Sequence, residues 1–194
     1  MTKALRLVLA SASPRRRDIL RMIGVEPDAI LSADLDESER KGELVRDYVS
    51  RLALEKAAFV AAREPEALVL AADTAVACGR RILPKAETAA QAKACLDLLS
   101  GRAHRVWTGV ALAAPGAPVR LRAVESRVKV ARLTSREIDD YLASGEWSGK
   151  AGGYAIQGRF ARHVEAIVGS HTNIVGLPAR ETYNLLKGAG LIAA

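Results

Sequence analysis

The sequence predicts an α/β fold with a mixed central sheet, and three observations carry that expectation. Apolar runs of strand length alternate, along 194 residues, with segments whose apolar positions recur at helical spacing. Helix-start signals stand where several of those segments begin: Ser13 before Pro14, Thr88 with Gln91, and Thr134 with Glu137. Two strand-like stretches, "HRVWTGVALAA" and "VRLRAVESRVKVARL", follow one another across Pro115, Gly116 and Pro118, which places two neighbouring strands in the sheet.

The first element is a buried strand through Leu5, Leu7, Val8 and Leu9. Ser13 suits an N-cap and Pro14 the first helical position; Ile19, Leu20 and Ile23 form the apolar face, and Gly24 is the stop. Arg15, Arg16 and Arg17 then crowd the first turn. The helix macrodipole favours carboxylates there, by about 0.3–1 kcal/mol each. The unpaired N–H groups of the same turn attract anions. A basic first turn is either a solvated surface or a phosphate cradle, and the broken local rule favours the cradle. "ILSADLDESER" reads as the end of a strand running into an acidic loop. "ELVRDYVSRLALEKAAFVAAR" is a long helix with Val45, Val49, Leu52 and Phe59 on one stripe. "ALVLAADTAVA" is a buried strand that turns at "CGRR"; a capped helix runs through Ala92, Cys95, Leu96 and Leu99 to Gly101. After the strand pair come a helix ending near Gly145, the Gly-rich "KAGGYAIQGRF", a short strand or strand pair in "HVEAIVG", and a terminal helix in "ARETYNLLKGAG".

Composition narrows the function. A formal charge of +7 suits polyanionic partners, but the basic residues are scattered and only 4% of residues are aromatic, which disfavours single-stranded nucleic acid. Cys78 and Cys95 lack CxxC spacing, so a reducing compartment is expected over a disulfide framework. With no signal-peptide pattern and no run of 18 apolar residues, the expected location is the cytoplasm. P-loop, GxGxxG, HExxH and GxSxG motifs are all absent, which removes the commonest nucleotide-binding, zinc-protease and serine-hydrolase classes.

Two residues resist a purely structural role. Asp73 interrupts the apolar run "LVLAADTAVA", where an unpaired carboxylate is very costly to bury; it needs a metal, a cation or water at the sheet edge. Lys56 falls on the apolar stripe of its helix, either snorkelling from its edge or meeting a partner beneath it. Gly152, Gly153 and Gly158 surround Tyr154 and Gln157; glycines permit close backbone approach, and a glutamine amide can read a base edge.

Taken in order, "LASASPRRRDIL" at 9–20, "DLDES" at 34–38, "RLALEKA" at 51–57, "AADT" at 71–74, "SGEWSGKAGGYAIQG" at 144–158 and "GSHTNIVGLP" at 169–178 resemble the Maf family of nucleotide pyrophosphatases. The resemblance implies one domain over 1–194, similar to the inosine triphosphate pyrophosphatase fold, with two lobes, a cleft and a common homodimer. It implies hydrolysis of nucleoside triphosphates to monophosphate and pyrophosphate with Mg²⁺ or Mn²⁺. The "GGYAIQG" version is similar to the dTTP and UTP branch rather than the 7-methyl-GTP branch. By motif, Ser13, Arg15 and Arg16 hold the triphosphate. Glu37 and Asp73 hold the metal, Asp73 also serving as general base. Lys56 and Lys85 neutralise phosphate charge, and Arg15, Thr74 and Gln157 set substrate choice. Neither nucleic acid nor membrane is an expected partner. Trp147 in "SGEW", Lys85 in "LPKAE" and Ala179 after "GLP" depart from the family's usual residues without removing any of these groups. The competing expectation is a nucleotide-binding regulator of growth or division with little turnover.

Overall fold

The computed structural model describes residues 5–192, so the domain expected over 1–194 extends past them at both ends. Strand β1 (Leu7–Ala10) pairs in parallel with β2 (Ala29–Ile30) and with β3 (Leu68–Cys78), Leu9 lying opposite both Ile30 and Leu70. Helices α1 (Pro14–Met22) and α2 (Val45–Ala61) fall between these strands in the chain. Strand β4 (Arg81–Leu83) folds back antiparallel on the end of β3, and β5 (Lys85–Ala86) leads into α3 (Ala89–Leu99). Two long strands follow, β6 (Ala103–Ala114) and β7 (Ala117–Val130), then α4 (Ser135–Ala143), β8 (Lys150–Ala151) and a 3-10 turn over Arg159–His163. Strand β9 (Val164–Val168), the one-turn α5 (His171–Val175) and α6 (Ala179–Gly188) complete the described chain. The main sheet runs β2-β1-β3-β6-β7-β9 with β4 on β3, while β5 and β8 form a separate two-stranded sheet. Parallel pairing at β1 and antiparallel pairing of β7 with β9 make it mixed, as the sequence predicts. Among the described residues no helix is long and apolar enough to cross a membrane.

The chain divides into two compact units. The first holds the residues up to Asp73, Thr108–Val124 and the chain from Gly176; the second holds Thr74–Trp107 and Glu125–Val175. One core cluster of the first is rich in small side chains, among them Ala10, Ala53, Ala57, Ala71, Ala111 and Ala113, while Leu7, Leu9, Leu52, Leu68 and Leu70 are also fully buried there. Small residues let α2 lie close to the strands. At Gly109 on β6 the approach leaves no room for a side chain: a Cβ would stand 2.3 Å from the Val49 carbonyl oxygen of α2. The core of the second unit includes aromatic rings, with Leu96, Leu99, Val128, Tyr141 and Phe160 fully buried. Both capping boxes form, Thr88 with Gln91 at α3 and Thr134 with Glu137 at α4, fixing where these helices start.

Three local expectations need correction. Ser13 occupies the N-cap of α1, but its side chain makes no capping hydrogen bond. The buried stripe of α2 runs through Val49, Leu52, Lys56 and Val60; Phe59 is only partly buried and stacks under the Arg63 guanidinium, whose carbon lies 3.8 Å from the ring centroid. Pro118 lies within β7 rather than in the turn before it. Strands β4, β5 and β8, together with α5, are too short for periodicity to reveal.

Candidate active site

The centre of the site is a buried ammonium between two carboxylates in the first unit. Lys56 Nζ donates to Asp73 Oδ1 at 2.6 Å and lies 2.5 Å from Glu37 Oε1. Lys56 is 7% exposed and Asp73 4%, so neither charge has water as its main partner. Each is tolerable only because the other is present, with Glu37 as a second acceptor. The local sequence explains the meeting. Lys56 sits on the sheet-facing stripe of α2, seven residues beyond Val49, and Asp73 is an inward position in an apolar strand. Glu37 comes from the loop between β2 and α2.

That loop is tied down from α2. The Tyr48 hydroxyl donates to the backbone carbonyl of Glu37 at 2.9 Å, and its phenol titrates above the ordinary range because of burial and then the nearby Asp73 and Glu37. Arg51 grips Glu43 through both Nε (2.7 Å) and Nη2 (2.8 Å), and Nη2 also donates to the Ser38 carbonyl at 3.1 Å. The Arg51 hydrogen bonds hold the Glu43 carboxyl at a pKa of about 2. Nothing in the sequence alone marks Tyr48 or Arg51 as supports for Glu37, since their partners lie across a loop with no periodic pattern.

The three arginines of α1 have three different fates. Arg17 pairs with Glu26 at 2.8 Å on the surface. Arg16 is held from two sides, Nε donating to the Gly176 carbonyl at 2.8 Å and Nη1 to Ser11 Oγ at 2.9 Å. The Arg15 side chain has no hydrogen-bond or ion-pair partner among the described residues. Burial lowers the pKa of both Arg15 and Arg16; at Arg16, Asp73 opposes that shift, Arg15 adds to it and Glu37 opposes it again. Arg16 is therefore within the electrostatic reach of both carboxylates. Ser13 presents its backbone: its N–H donates to Ser11 Oγ at 3.2 Å and its carbonyl accepts from Arg16 N at 3.2 Å. The hydroxyl that organises this turn is thus that of Ser11, which is 7% exposed and was passed over in the sequence. Gly176 likewise explains part of "GSHTNIVGLP": its carbonyl receives Arg16.

Thr74, Lys85 and Gln157 belong to the second unit. Lys85 is exposed on β5 and stands opposite Ala151 of β8 in the two-stranded sheet, beside the start of the Gly-rich segment. The Gly152 N–H donates to the Pro84 carbonyl at 3.0 Å, which joins the two segments again. Gly152 and Gly153 both take positive φ, and a Cβ on them would press on Val76 (2.9 Å) and on the Ala92 backbone (3.0 Å). Gln157 is exposed at a turn after five buried residues. The structure therefore brings Glu37, Lys56 and Asp73 into contact, sets Arg16 in electrostatic reach of them, and places Lys85 beside the Gly-rich segment.

The donors fit a hard cation. Glu37 and Asp73 offer carboxylate oxygens, and no group of three or more His, Cys, Asp or Glu side chains fit to hold a metal exists among the described residues. Two carboxylates, with phosphate oxygens and water completing the shell, are the usual surroundings of Mg²⁺ bound with a nucleotide.

Comparison with known proteins gives consistent matches. The family model for Maf-like protein matches residues 6–189. A dTTP/UTP pyrophosphatase of Rhodospirillum rubrum is 58% identical over 184 residues, covering 95% of this chain and 88% of that protein. One from Paramagnetospirillum magneticum is 57% identical, covering 95% and 97%, and one from Zymomonas mobilis is 54% identical, covering 95% and 91%. Among solved structures, a HAM1 protein from Coxiella burnetii shares the fold at a TM-score of 0.55 and 15% identity, over 95% of this chain and 99% of that one.

Proposed function

The chain belongs to the Maf-like protein family, and on that premise we propose that it is a nucleoside triphosphate pyrophosphatase, a hydrolase that cuts dTTP and UTP to the monophosphate and pyrophosphate. The observation that carries the chemistry is the buried Lys56 ammonium shared by Asp73 and Glu37, with Arg15 and Arg16 at the start of α1. Three cations against two carboxylates leave this cluster with excess positive charge, as a polyanion requires.

In this reading Arg15 and Arg16 bind the triphosphate, with Ser13 presenting the turn that carries them. The arginines are tolerated in the first turn of α1 because the ligand brings the negative charge. Arg16 is already oriented by Ser11 and Gly176, so little side-chain entropy is lost when phosphate arrives. Asp73 orients the attacking water and accepts its proton at a carboxylate oxygen. Lys56, held against Asp73, stabilises the charge that develops as pyrophosphate leaves, and Lys85 does the same from β5. Thr74 and Gln157 select the nucleotide. Glu37 and Asp73 would hold a divalent cation of the Mg²⁺ or Mn²⁺ kind, which when bound supplies charge neutralisation on phosphate oxygens and a more acidic water. The proposal includes a homodimer working in the cytoplasm; sedimentation as a monomer would remove the first of these.

The test is pyrophosphate release from dTTP, UTP, CTP, ATP, GTP and 7-methyl-GTP, with Asp73→Asn alongside. Turnover of dTTP and UTP above the rest is expected, falling by about 100-fold or more in Asp73→Asn and stopping with EDTA. Turnover of 7-methyl-GTP alone would keep the chemistry and overturn the substrate. Nucleotide binding without turnover would make the protein a regulator instead.

A further inference from the structure

The second unit gathers much of the chain's scarce aromatic content in one place. Two of the chain's four tyrosines, Tyr141 and Tyr154, pack with Phe160, His104 and His163, ring centroids lying 4.6–5.6 Å apart. The reaction proposed above uses none of these groups. They pack around the segment 152–158, of which Tyr154 is part, and hydrogen bonds of Tyr141 and of the nearby Glu146 fall on the backbone of that segment and its flank. The Tyr141 hydroxyl accepts the Ala155 N–H at 3.0 Å. The Glu146 carboxylate accepts the Arg159 N–H at 2.7 Å. Between these points the Gly158 N–H donates to the Ala155 carbonyl at 3.1 Å, closing a four-residue turn whose third residue is Gln157.

The remaining anchor is Tyr154, immediately before that turn. Its hydroxyl lies 2.7 Å from His104 Nε2, both residues being buried, at 5% and 2% exposure. His104 Nδ1 is buried with no hydrogen-bond partner among the described residues. Whichever tautomer the ring takes, its single hydrogen bond goes to Tyr154 and its other nitrogen is left unsatisfied. A buried histidine with one unpaired nitrogen is poorly explained as packing, because an aliphatic residue there would avoid the desolvation cost.

Gln157 supplies the reason for a rigid turn. Uracil presents a carbonyl acceptor beside an N–H donor on its pairing edge, and cytosine presents the reverse. A glutamine amide free to rotate by half a turn satisfies either base, so the residue type alone cannot discriminate; a fixed orientation can. We infer that the His104–Tyr154 pair is a positioning device for Gln157, locking the turn that presents its amide and so setting the preference for a uracil-type or thymine base over cytosine. The inference rests on the reading of Gln157 as the base-selecting residue.

The experiment measures kcat and KM for UTP, dTTP and CTP in wild type, Tyr154→Phe, His104→Gln, Gln157→Ala and the Tyr154→Phe/Gln157→Ala double variant. Tyr154→Phe keeps the ring and its packing on Phe160, and His104→Gln keeps a polar side chain toward the hydroxyl. Tryptophan fluorescence confirms the fold of the second unit in each. Expected is a UTP-to-CTP preference reduced about tenfold by either single variant at the pair, through KM more than kcat. The double variant should be no less selective than Gln157→Ala alone, since the pair acts through that residue. If Gln157→Ala abolishes the preference while Tyr154→Phe and His104→Gln retain it, the positioning role is overturned and the reading of Gln157 stands. Equal loss on UTP and CTP, or additive loss in the double variant, also overturns it. An unchanged preference in Gln157→Ala overturns the reading of Gln157 and the inference with it.

Discussion

A single ammonium decides whether the first unit can keep its two carboxylates where they are. Lys56 Nζ contacts Asp73 at 2.6 Å and Glu37 at 2.5 Å, and Asp73 is almost wholly removed from water. Replacing the lysine with methionine preserves much of its volume and apolar stem but strands Asp73 with no cation in contact. Breaking a buried pair from one side costs about 3–5 kcal/mol. Asp73→Asn is the milder change, because the ammonium keeps Glu37 and the amide keeps a hydrogen-bond acceptor. Urea unfolding should therefore rank wild type above Asp73→Asn and Asp73→Asn well above Lys56→Met. A Lys56→Met variant as stable as Asp73→Asn would show that Asp73 is solvated more than its burial implies. Two members of this triad were legible in the sequence for a physical reason: a carboxylate inside an apolar run and a lysine on an apolar stripe each violate a pattern. Glu37 sits in an acidic loop where a carboxylate violates nothing, so only the family resemblance singled it out. Ser11 was missed because it differs from Ser13 in what it touches, not in any local pattern.

At the scale of elements, α2 is the part that assembles the site. It supplies Lys56 directly, Tyr48 to the backbone of Glu37, and Arg51 to Ser38 and Glu43 in the loop that follows Glu37. Its seating depends on Gly109 of β6, whose missing Cβ leaves room for the α2 backbone: an added Cβ would stand 2.3 Å from Val49 O and 2.7 Å from Val49 C. Neither atom can rotate away, so the helix itself must move. Gly109→Ala is expected to destabilise by about 3 kcal/mol or more, at the upper end for overpacking. It should also lower kcat, since Lys56 lies two turns along the same helix. Unfolding measurements and steady-state rates on one preparation check both, and a stable, fully active Gly109→Ala variant would show that α2 is not seated by this contact. The longer helices and strands were readable, because helical stripes, apolar runs and capping boxes are local patterns. The close approach at Gly109 was not, since a glycine within "VWTGVAL" carries no sign of the helix 60 residues earlier that needs the space. The β5–β8 pairing was hidden for a related reason: two-residue strands are defined by their partner and not by any period.

For the whole molecule, the acid side of stability should be governed by histidine before carboxylates. Desolvation by burial lowers the His104 pKa from the ordinary 6.5 to about 4. Well above pH 6.5 the ring is uncharged in both folded and unfolded states and imposes no penalty. Between pH 6.5 and 4 the unfolded chain takes up a proton that the folded one refuses, so stability falls as pH falls and levels off below the folded pKa. Over that window His104 alone removes about 3 kcal/mol, at roughly 1.4 kcal/mol per unit. Carboxylates act in the next window: the arginine-held Glu26 and Glu43, both near pKa 2, lose their stabilising contacts only as pH falls from about 4.5 toward 2. His163 is also lowered, by burial first, and contributes in the same direction as His104. The two effects separate by mutation, because His104→Gln removes one and leaves the other. Both tryptophans, Trp107 and Trp147, lie in the second unit with His104, so their fluorescence reports the unfolding that this proton controls. Urea midpoints followed by that signal should decline steeply from pH 6.5 to 4 in wild type and clearly less in His104→Gln, whatever the variant's stability at pH 7. Parallel slopes in the two proteins would mean that His104 takes up its proton while folded, and that water reaches the ring that Tyr154 now screens.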